Sequence, residues 1–396
     1  MLKESYRLQN LEESATIAMS QKSRELKAKG VDVINLSLGE PDFNTPDFIK
    51  EAAKKAIDDN YSKYTPVNGY EDLRAAICTK LKRDNNLEYA PNQIVVSTGA
   101  KQSLANIMLS LINPGDEVII PAPYWVTYVE IVKMAEGIPV IVETGIDTDF
   151  KISANQLKNA ITAKTKMLLY SSPCNPTGSV YSKEELQTLV DVVKDKDIFI
   201  VSDEIYELIN FNSKHYSIAQ FDEVKEKTIV VNGLSKAFAM TGWRLGYMAS
   251  SKWIADACTK MQGQFTSGTN SITQRAAVNA LLAPASSVDY MVKEFNKRRD
   301  LVYTLASEIK GIKLNKPGGA FYLFPEVDAF FGKSYNGKTI KDADDLSLYL
   351  LEEGHVATVS GSAFGSPKCI RFSYAASEKE LVEAMKRIKT ALEKLQ

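Results

Sequence analysis

Seven short apolar runs alternate with longer amphipathic stretches between about residues 90 and 250, and this alternation constrains the fold more than any other feature. The runs are IVVST (94–98), EVIIP (117–121), IPVIVE (138–143), MLLYSS (167–172), IFIVSD (198–203), TIVVNG (228–233) and LGYMAS (245–250). They are rich in β-branched residues and mostly continuous in apolar character, as strands buried on both faces require. Several of the intervening stretches have helical patterning. In SKEELQTLVDVVKD, Ser182 is placed to cap a helix and Glu185 to close a capping box. Continuous apolar strands separated by helices imply an α/β fold with a largely parallel sheet covered on both sides.

A long helical stretch, VDYMVKEFNKRRDLVYTLASEIKG, leads out of that block. It is followed by GGAFYLFPEV, HVATVSG and KCIRFSYA, and then by the helix SEKELVEAMKRIKTALEKL. These elements predict a second, smaller α/β domain that the N-terminal segment joins. The expected division is a large domain over residues 46–290 and a small one built from 1–45 and 291–396. A chain of 396 residues, 44% hydrophobic, has enough apolar material for both.

Charge and cysteine usage exclude several functions. The 48 basic and 49 acidic side chains nearly cancel, so nothing predicts a nucleic-acid surface or a membrane-attracting basic face. Four scattered cysteines and two histidines, His215 and His355, neither with a His or Cys at ligand spacing, argue against a disulfide framework, a zinc site or a histidine-based triad. MLKESYRLQNLEESATIAMS lacks the apolar core of a secretory signal, and no apolar run approaches the ~18 residues of a spanning helix. A cytoplasmic protein is expected.

In open parallel sheets, ligands sit at the carboxyl ends of the strands. IVVSTGAKQSL turns at Gly99 and opens a helix at about Ala100, which leaves backbone N–H groups free for a phosphate or marks an ordinary strand-to-helix turn. Asp203 ends IFIVSD and is either a functional carboxylate or a cap for EIYELI. Asn175 in SSPCNPTG fits a simple turn, Trp125 in YWVTY fits core packing, and Arg371 in CIRFSYA fits an exposed strand arginine. NGLSKAFAMTGWRLG sets Lys236 between Ser235 and an apolar run, with Arg244 eight positions later. Taken singly, each residue has an ordinary reading; the ordinary readings leave the joint order and spacing unexplained.

That order resembles the fold-type I pyridoxal-phosphate enzymes, specifically class I aminotransferases of the bacterial aspartate aminotransferase type. The matching segments are LSLGEPDFNTP, KYTPVNGYEDLR, STGAKQSL, PAPYWVTY, SSPCNPTG, VSDEIYE, NGLSKAFAMTGWRLGY and IRFSYA, spread over residues 36–374. SDEIY together with SKAFAMTGWR is the most specific part. The resemblance implies a mainly parallel seven-stranded sheet in the large domain. It makes Lys236 the amine that holds pyridoxal 5'-phosphate and later moves a proton, in a setting that lowers its pKa.

By the same resemblance, Asp203 faces the pyridine nitrogen, where a carboxylate ~3 Å away at an effective dielectric of ~20 supplies roughly 5 kcal/mol. Asn175 and Tyr206 match hydrogen bonds to the ring oxygen, and Trp125 matches the aromatic stacked on the ring. The phosphate falls to the backbone of Gly99, Ala100 and Lys101, to Ser235 and to Arg244. Tyr64 matches a residue that reaches the phosphate from the neighbouring subunit, implying a homodimer with shared sites. Cis peptides are implied before Pro123 and Pro176.

For the substrate, Arg371 matches the arginine that forks onto the α-carboxylate, with the Gly39 backbone beside it and Trp125 and Asn175 lining the place. Lys101 matches the lysine that binds a distal carboxylate. The implied reaction is therefore ping-pong transamination between aspartate or glutamate and 2-oxoglutarate or oxaloacetate. Some relatives also use prephenate, a feature linked to the residues matching Lys101 and Thr16 and to a basic residue four places before that threonine; Glu12 stands there instead. An aromatic aminotransferase or a pyridoxal-dependent β-lyase is a further alternative on the same fold.

Overall fold

Each of the seven apolar runs forms a strand: β1 (Ile94–Ser97), β2 (Glu117–Ala122), β3 (Ile138–Glu143), β4 (Thr165–Ser171), β5 (Phe199–Asp203), β6 (Thr228–Gly233) and β7 (Gly246–Ala249). The computed structural model describes residues 3–211 and 214–396; Met1 and Leu2, at the head of the N-terminal segment, lie outside the described residues. The seven strands make one sheet in the order β1-β7-β6-β5-β4-β2-β3. Pairing is parallel from β3 through β6, while β7 runs antiparallel to both β6 and β1.

Both faces of the sheet are covered along its inner strands, which is why those runs are apolar; the edge strand β3 is only half-buried to exposed. Val118 and Ile120 of β2, Met167 and Leu169 of β4 and Val201 of β5 pack into one apolar cluster with Leu104, Ile107 and Ile254. The intervening Ile119, Leu168 and Ile200 pack into another cluster with Leu186, Leu189 and Val190. Consecutive strand side chains point to opposite faces, so a strand between two helical layers needs an apolar residue at every position. Helix Lys183–Val193 on the second face opens with the expected box: Ser182 Oγ accepts from Glu185 N at 3.2 Å, and Glu185 Oε2 accepts from Ser182 N at 2.8 Å.

The C-terminal part contains the long helix Asp289–Ser307, the strands β8 (Tyr322–Leu323), β9 (Val359–Ser360) and β10 (Ile370–Ser373), and the final helix Glu378–Glu393. The three strands form an antiparallel sheet in the order β9-β10-β8. Near the start of the chain, Ile34–Asn35 pairs in parallel with Val356–Ala357, so the residues that follow it enter beside this small sheet. One apolar cluster joins Leu36, Ile49 and Val96 to Phe321, Ile370 and Ile388, giving the sheet region and the C-terminal region a common core.

Candidate active site

The ends of β5 and β6, the turn after β1 and one strand of the small sheet converge on a cavity of about 280 Å³. Its lining includes Lys236, Asp203, Asn175, Tyr206, Trp125 and Arg371, residues that are far apart in the chain. Gly39, Ala100, Lys101, Ser235, Arg244 and Thr16 line it as well.

Asp203 is the last residue of β5 and is only 4% exposed. Its Oδ2 accepts from the Tyr128 hydroxyl at 2.7 Å, and its Oδ1 accepts from the Ile205 N–H at 3.2 Å. Burial pushes its pKa up to about 6; the two hydrogen bonds and the Lys236 charge oppose that rise, and Glu204 adds to it. Asp203 is thus an oriented carboxylate, ionised at neutral pH. The EIYELI segment forms turns, so the alternative role of helix cap is corrected: there is no helix here to cap.

Lys236 follows β6 by three residues and is half-buried. Its Nζ donates to the Gly39 carbonyl at 2.6 Å and lies 5.8 Å from the centroid of the Tyr206 ring. Burial lowers its pKa to about 8, with Arg371 and Arg244 acting in the same direction and Glu40 and Asp203 against it. An amine of that acidity is ~10% neutral at pH 7, hence nucleophilic.

Arg371, in β10, is 2% exposed, which removes the reading of an exposed strand arginine. Its Nη1 donates to Asn175 Oδ1 at 2.8 Å and its Nη2 to the Ser37 carbonyl at 2.6 Å. The guanidinium lies 4.5 Å from the Tyr322 ring centroid and 4.9 Å from that of Phe364. Burial lowers its pKa, but no carboxylate among the described residues pairs with it, and its Nε has no partner. A buried cation held only by neutral acceptors is suited to an incoming anion. Tyr206 and Tyr322 share a hydroxyl hydrogen bond of 2.7 Å beside it. A Cβ on Gly39 would come to 2.5 Å from the Tyr322 oxygen, so a side chain here would have to displace that hydroxyl.

A second positive corner lies where β1 turns into helix Ala100–Leu111. Gly99 makes that turn with φ +85°, and the helix has no side-chain cap. Gln102 and Ser103 bond back to the Gly99 carbonyl, leaving the N–H groups of Ala100 and Lys101 over. The start of β7 packs against this turn so closely that a Cβ on Gly246 would collide with the Gly99–Ala100 backbone. Arg244 adopts a left-handed conformation, φ 56°, and its Nη1 donates to the Thr241 carbonyl at 2.9 Å. Lys101 Nζ lies 4.9 Å from the Trp125 ring centroid, and the surrounding protein and the Arg244 charge lower its pKa. Helix N–H groups, a lysine and an arginine around one turn make an anion site.

Tyr64 is wholly exposed and does not line the cavity of its own chain. The peptides before Pro123 and Pro176 are cis as expected, and the one before Pro173 is cis too. Sequence reasoning missed Tyr128, Tyr322, Thr241 and Glu40. Tyr128 carried a signal, for it stands three positions after Trp125 and one helical turn brings both rings together, edge to face at 5.6 Å. Tyr322 had none, since it reaches the site only through the small sheet.

The sequence profile of the family described as "Aminotransferase class I and II" matches residues 31–388. An aspartate aminotransferase of Bacillus sp. (strain YM-2) is 47% identical over 96% of this chain and 97% of its own length. A bifunctional aspartate aminotransferase and glutamate/aspartate-prephenate aminotransferase of Petunia hybrida is 46% identical over 98% of this chain and 82% of its own. Among solved structures, the aspartate aminotransferase from Rhizobium meliloti superposes with a TM-score of 0.97 at 40% identity, covering 100% of both chains. That of Thermus thermophilus with maleate gives 0.93 at 38% identity, over 99% of this chain and 100% of its own. The fold expected from the resemblance is the fold found. With the profile, the relatives and the superpositions all running nearly end to end, the chain belongs to the class I and II aminotransferases.

Proposed function

We propose that the protein is a pyridoxal-phosphate-dependent aspartate aminotransferase, acting as a homodimer on small amino and 2-oxo acids. The observation that carries this reading is the pairing, in one cavity, of a half-buried amine with a lowered pKa and a buried arginine that lacks an anionic partner.

The residues fit the cofactor. Lys236 has no carboxylate in ion-pair contact among the described residues, the Ala100 and Lys101 N–H groups are free for a phosphate, and Gly246 keeps that corner open to the backbone. Lys236 would hold the aldehyde end, Ala100, Lys101, Ser235 and Arg244 the phosphate, Asn175 and Tyr206 the ring oxygen, and Trp125 a ring face. Asp203, oriented from behind by Tyr128, would hold the ring nitrogen's proton. When bound, pyridoxal phosphate supplies an electron sink that makes the Cα–H of an attached amino acid acidic.

The chain's own groups then divide the work. Arg371 receives the α-carboxylate, its charge already desolvated and its guanidinium held by Asn175 and the Ser37 carbonyl beside two rings. Lys236, neutral in part at working pH, takes the Cα proton and returns it. Lys101, exposed at the cavity edge and without an acidic partner among the described residues, supplies a cation for the distal carboxylate of aspartate or glutamate. The Thermus relative was solved with maleate, itself a dicarboxylate. Prephenate is the second reading, favoured by Thr16 at the cavity and by the Petunia relative's name and opposed by the acidic Glu12.

A half-reaction tests the proposal. With pyridoxal phosphate added, aspartate or glutamate should release its 2-oxo acid in amounts matching the cofactor, and Lys236→Ala should release none. Absence of product from the unchanged chain would remove the reading. Alanine reacting as well as aspartate would remove the dicarboxylate assignment alone.

A further inference from the structure

The segment from Leu36 to Thr45 forms a strap that meets the cavity at Gly39. Two of its carbonyls hold the two cations of the site, Ser37 O taking Arg371 and Gly39 O taking Lys236. The strap is tied to the segment that follows Lys236 at two points. Thr45 Oγ1 donates to the Ala239 carbonyl at 2.7 Å, and Glu40 Oε1 accepts from Thr241 Oγ1. Further along, Asp42 anchors it to Arg298, whose Nη1 lies 2.7 and 2.9 Å from the two carboxylate oxygens. Asp42 therefore has a cation of its own. Glu40 is exposed and has no Lys or Arg partner among the described residues, although it stands next to the carbonyl that holds the Lys236 amine.

We propose that Glu40 is a positioning residue for Lys236: anchored on Thr241, it keeps the Gly39 carbonyl against the amine and sets an unpaired carboxylate beside the ammonium form. The proposal rests on the reading of Lys236 as the reactive amine. The charged groups that face Lys236 are Glu40 from the strap, Asp203 from β5, Arg371 from β10 and Arg244 from the segment before β7, with the Tyr206 ring alongside. The two arginines disfavour the ammonium form. Of the two carboxylates, Asp203 is engaged by Tyr128 and Ile205, whereas Glu40 is held, among the described residues, by Thr241 alone, next to the carbonyl that takes the amine. When Lys236 accepts a proton from the substrate's Cα, the C–H bond breaks, the electron pair stays on the substrate and a positive charge appears on Nζ. Glu40 favours that charge, so its removal should leave the amine neutral at lower pH.

The test is carbamylation of the full chain by cyanate after removal of cofactor, with peptide mass mapping to follow Lys236 alone as pH is varied. Cyanate reports the neutral amine. In the unchanged chain the midpoint should fall at about 8. Glu40→Gln retains an oxygen for Thr241 and removes only the charge; its midpoint should fall by about half a unit, making labelling at pH 7 about threefold faster. Glu40→Ala, which also releases the strap, should move at least as far. A midpoint unchanged in Glu40→Gln overturns the proposal. Failure of Lys236 to stand out from surface lysines in the unchanged chain would instead remove the functional reading beneath it.

Discussion

At the scale of single residues, the site is built from groups held where their charge is costly. Asp203 titrates at about 6 because burial outweighs its hydrogen bonds, whereas an unfolded aspartate titrates near 4. Between those values the folded chain keeps a proton that the unfolded chain has lost, so stability falls as pH rises through that window. At neutral pH the cost is about 3 kcal/mol. Asp203→Asn should therefore stabilise the cofactor-free protein at pH 7 by up to that amount, and the gain should vanish below about pH 4. Urea denaturation at the two pH values measures both. The same variant should lose several kcal/mol of transition-state stabilisation, since a neutral amide cannot hold a ring proton. A gain in stability with turnover intact would mean that Asp203 is strained for no catalytic reason.

At the scale of elements, the contact that makes the proposed phosphate corner is between the start of β7 and the N-terminus of helix Ala100–Leu111. A methyl group at Gly246 must part the strand from the Gly99–Ala100 turn, an overpacking that costs about 1–3 kcal/mol. Gly246→Ala should lower the melting temperature and weaken pyridoxal phosphate binding at least tenfold, while Gly145→Ala, whose Cβ meets nothing within 4 Å, should change neither. Equal cofactor affinity in the two variants would place the phosphate elsewhere. The antiparallel direction of β7 belongs to this scale too. LGYMAS reads like IVVS and TIVVNG because Gly246–Ala249 is as fully buried as those two strands, and a run's composition reports its burial, not its direction.

At the scale of the whole molecule, the single chain leaves Tyr64 fully exposed, with Ile17 64% and Phe265 65% exposed as well. A tyrosine this exposed, in a segment whose likeness assigns it to the phosphate, is what the proposed homodimer would require of a residue donated to the neighbouring subunit. The protein should therefore sediment as a dimer. Lys236→Ala and Tyr64→Ala chains should each be nearly inactive alone, yet a hybrid of the two should regain one working site, formed by an intact Lys236 from one chain and an intact Tyr64 from the other. Activity in a monomer, or no recovery in verified hybrids, would mean that Tyr64 is not shared between subunits.

The seven strands, the Ser182 capping box, the Gly99 turn and the helices Asp289–Ser307 and Glu378–Glu393 were all legible in the sequence, because each depends on residues within a few positions of one another. The set of site residues was legible only from its joint order, since Asp203 as a cap or Arg371 as a surface charge satisfied every local rule. Tertiary structure decided what those residues touch. It set Tyr128 behind Asp203, closed Tyr322 and Phe364 over Arg371, and brought the Gly39 carbonyl to Lys236 across 197 positions of chain. Periodicity records which side of an element is buried and does not name the partner that buries it; the burial that moves Asp203 and Lys236 in opposite directions arises only when distant segments close on one cavity.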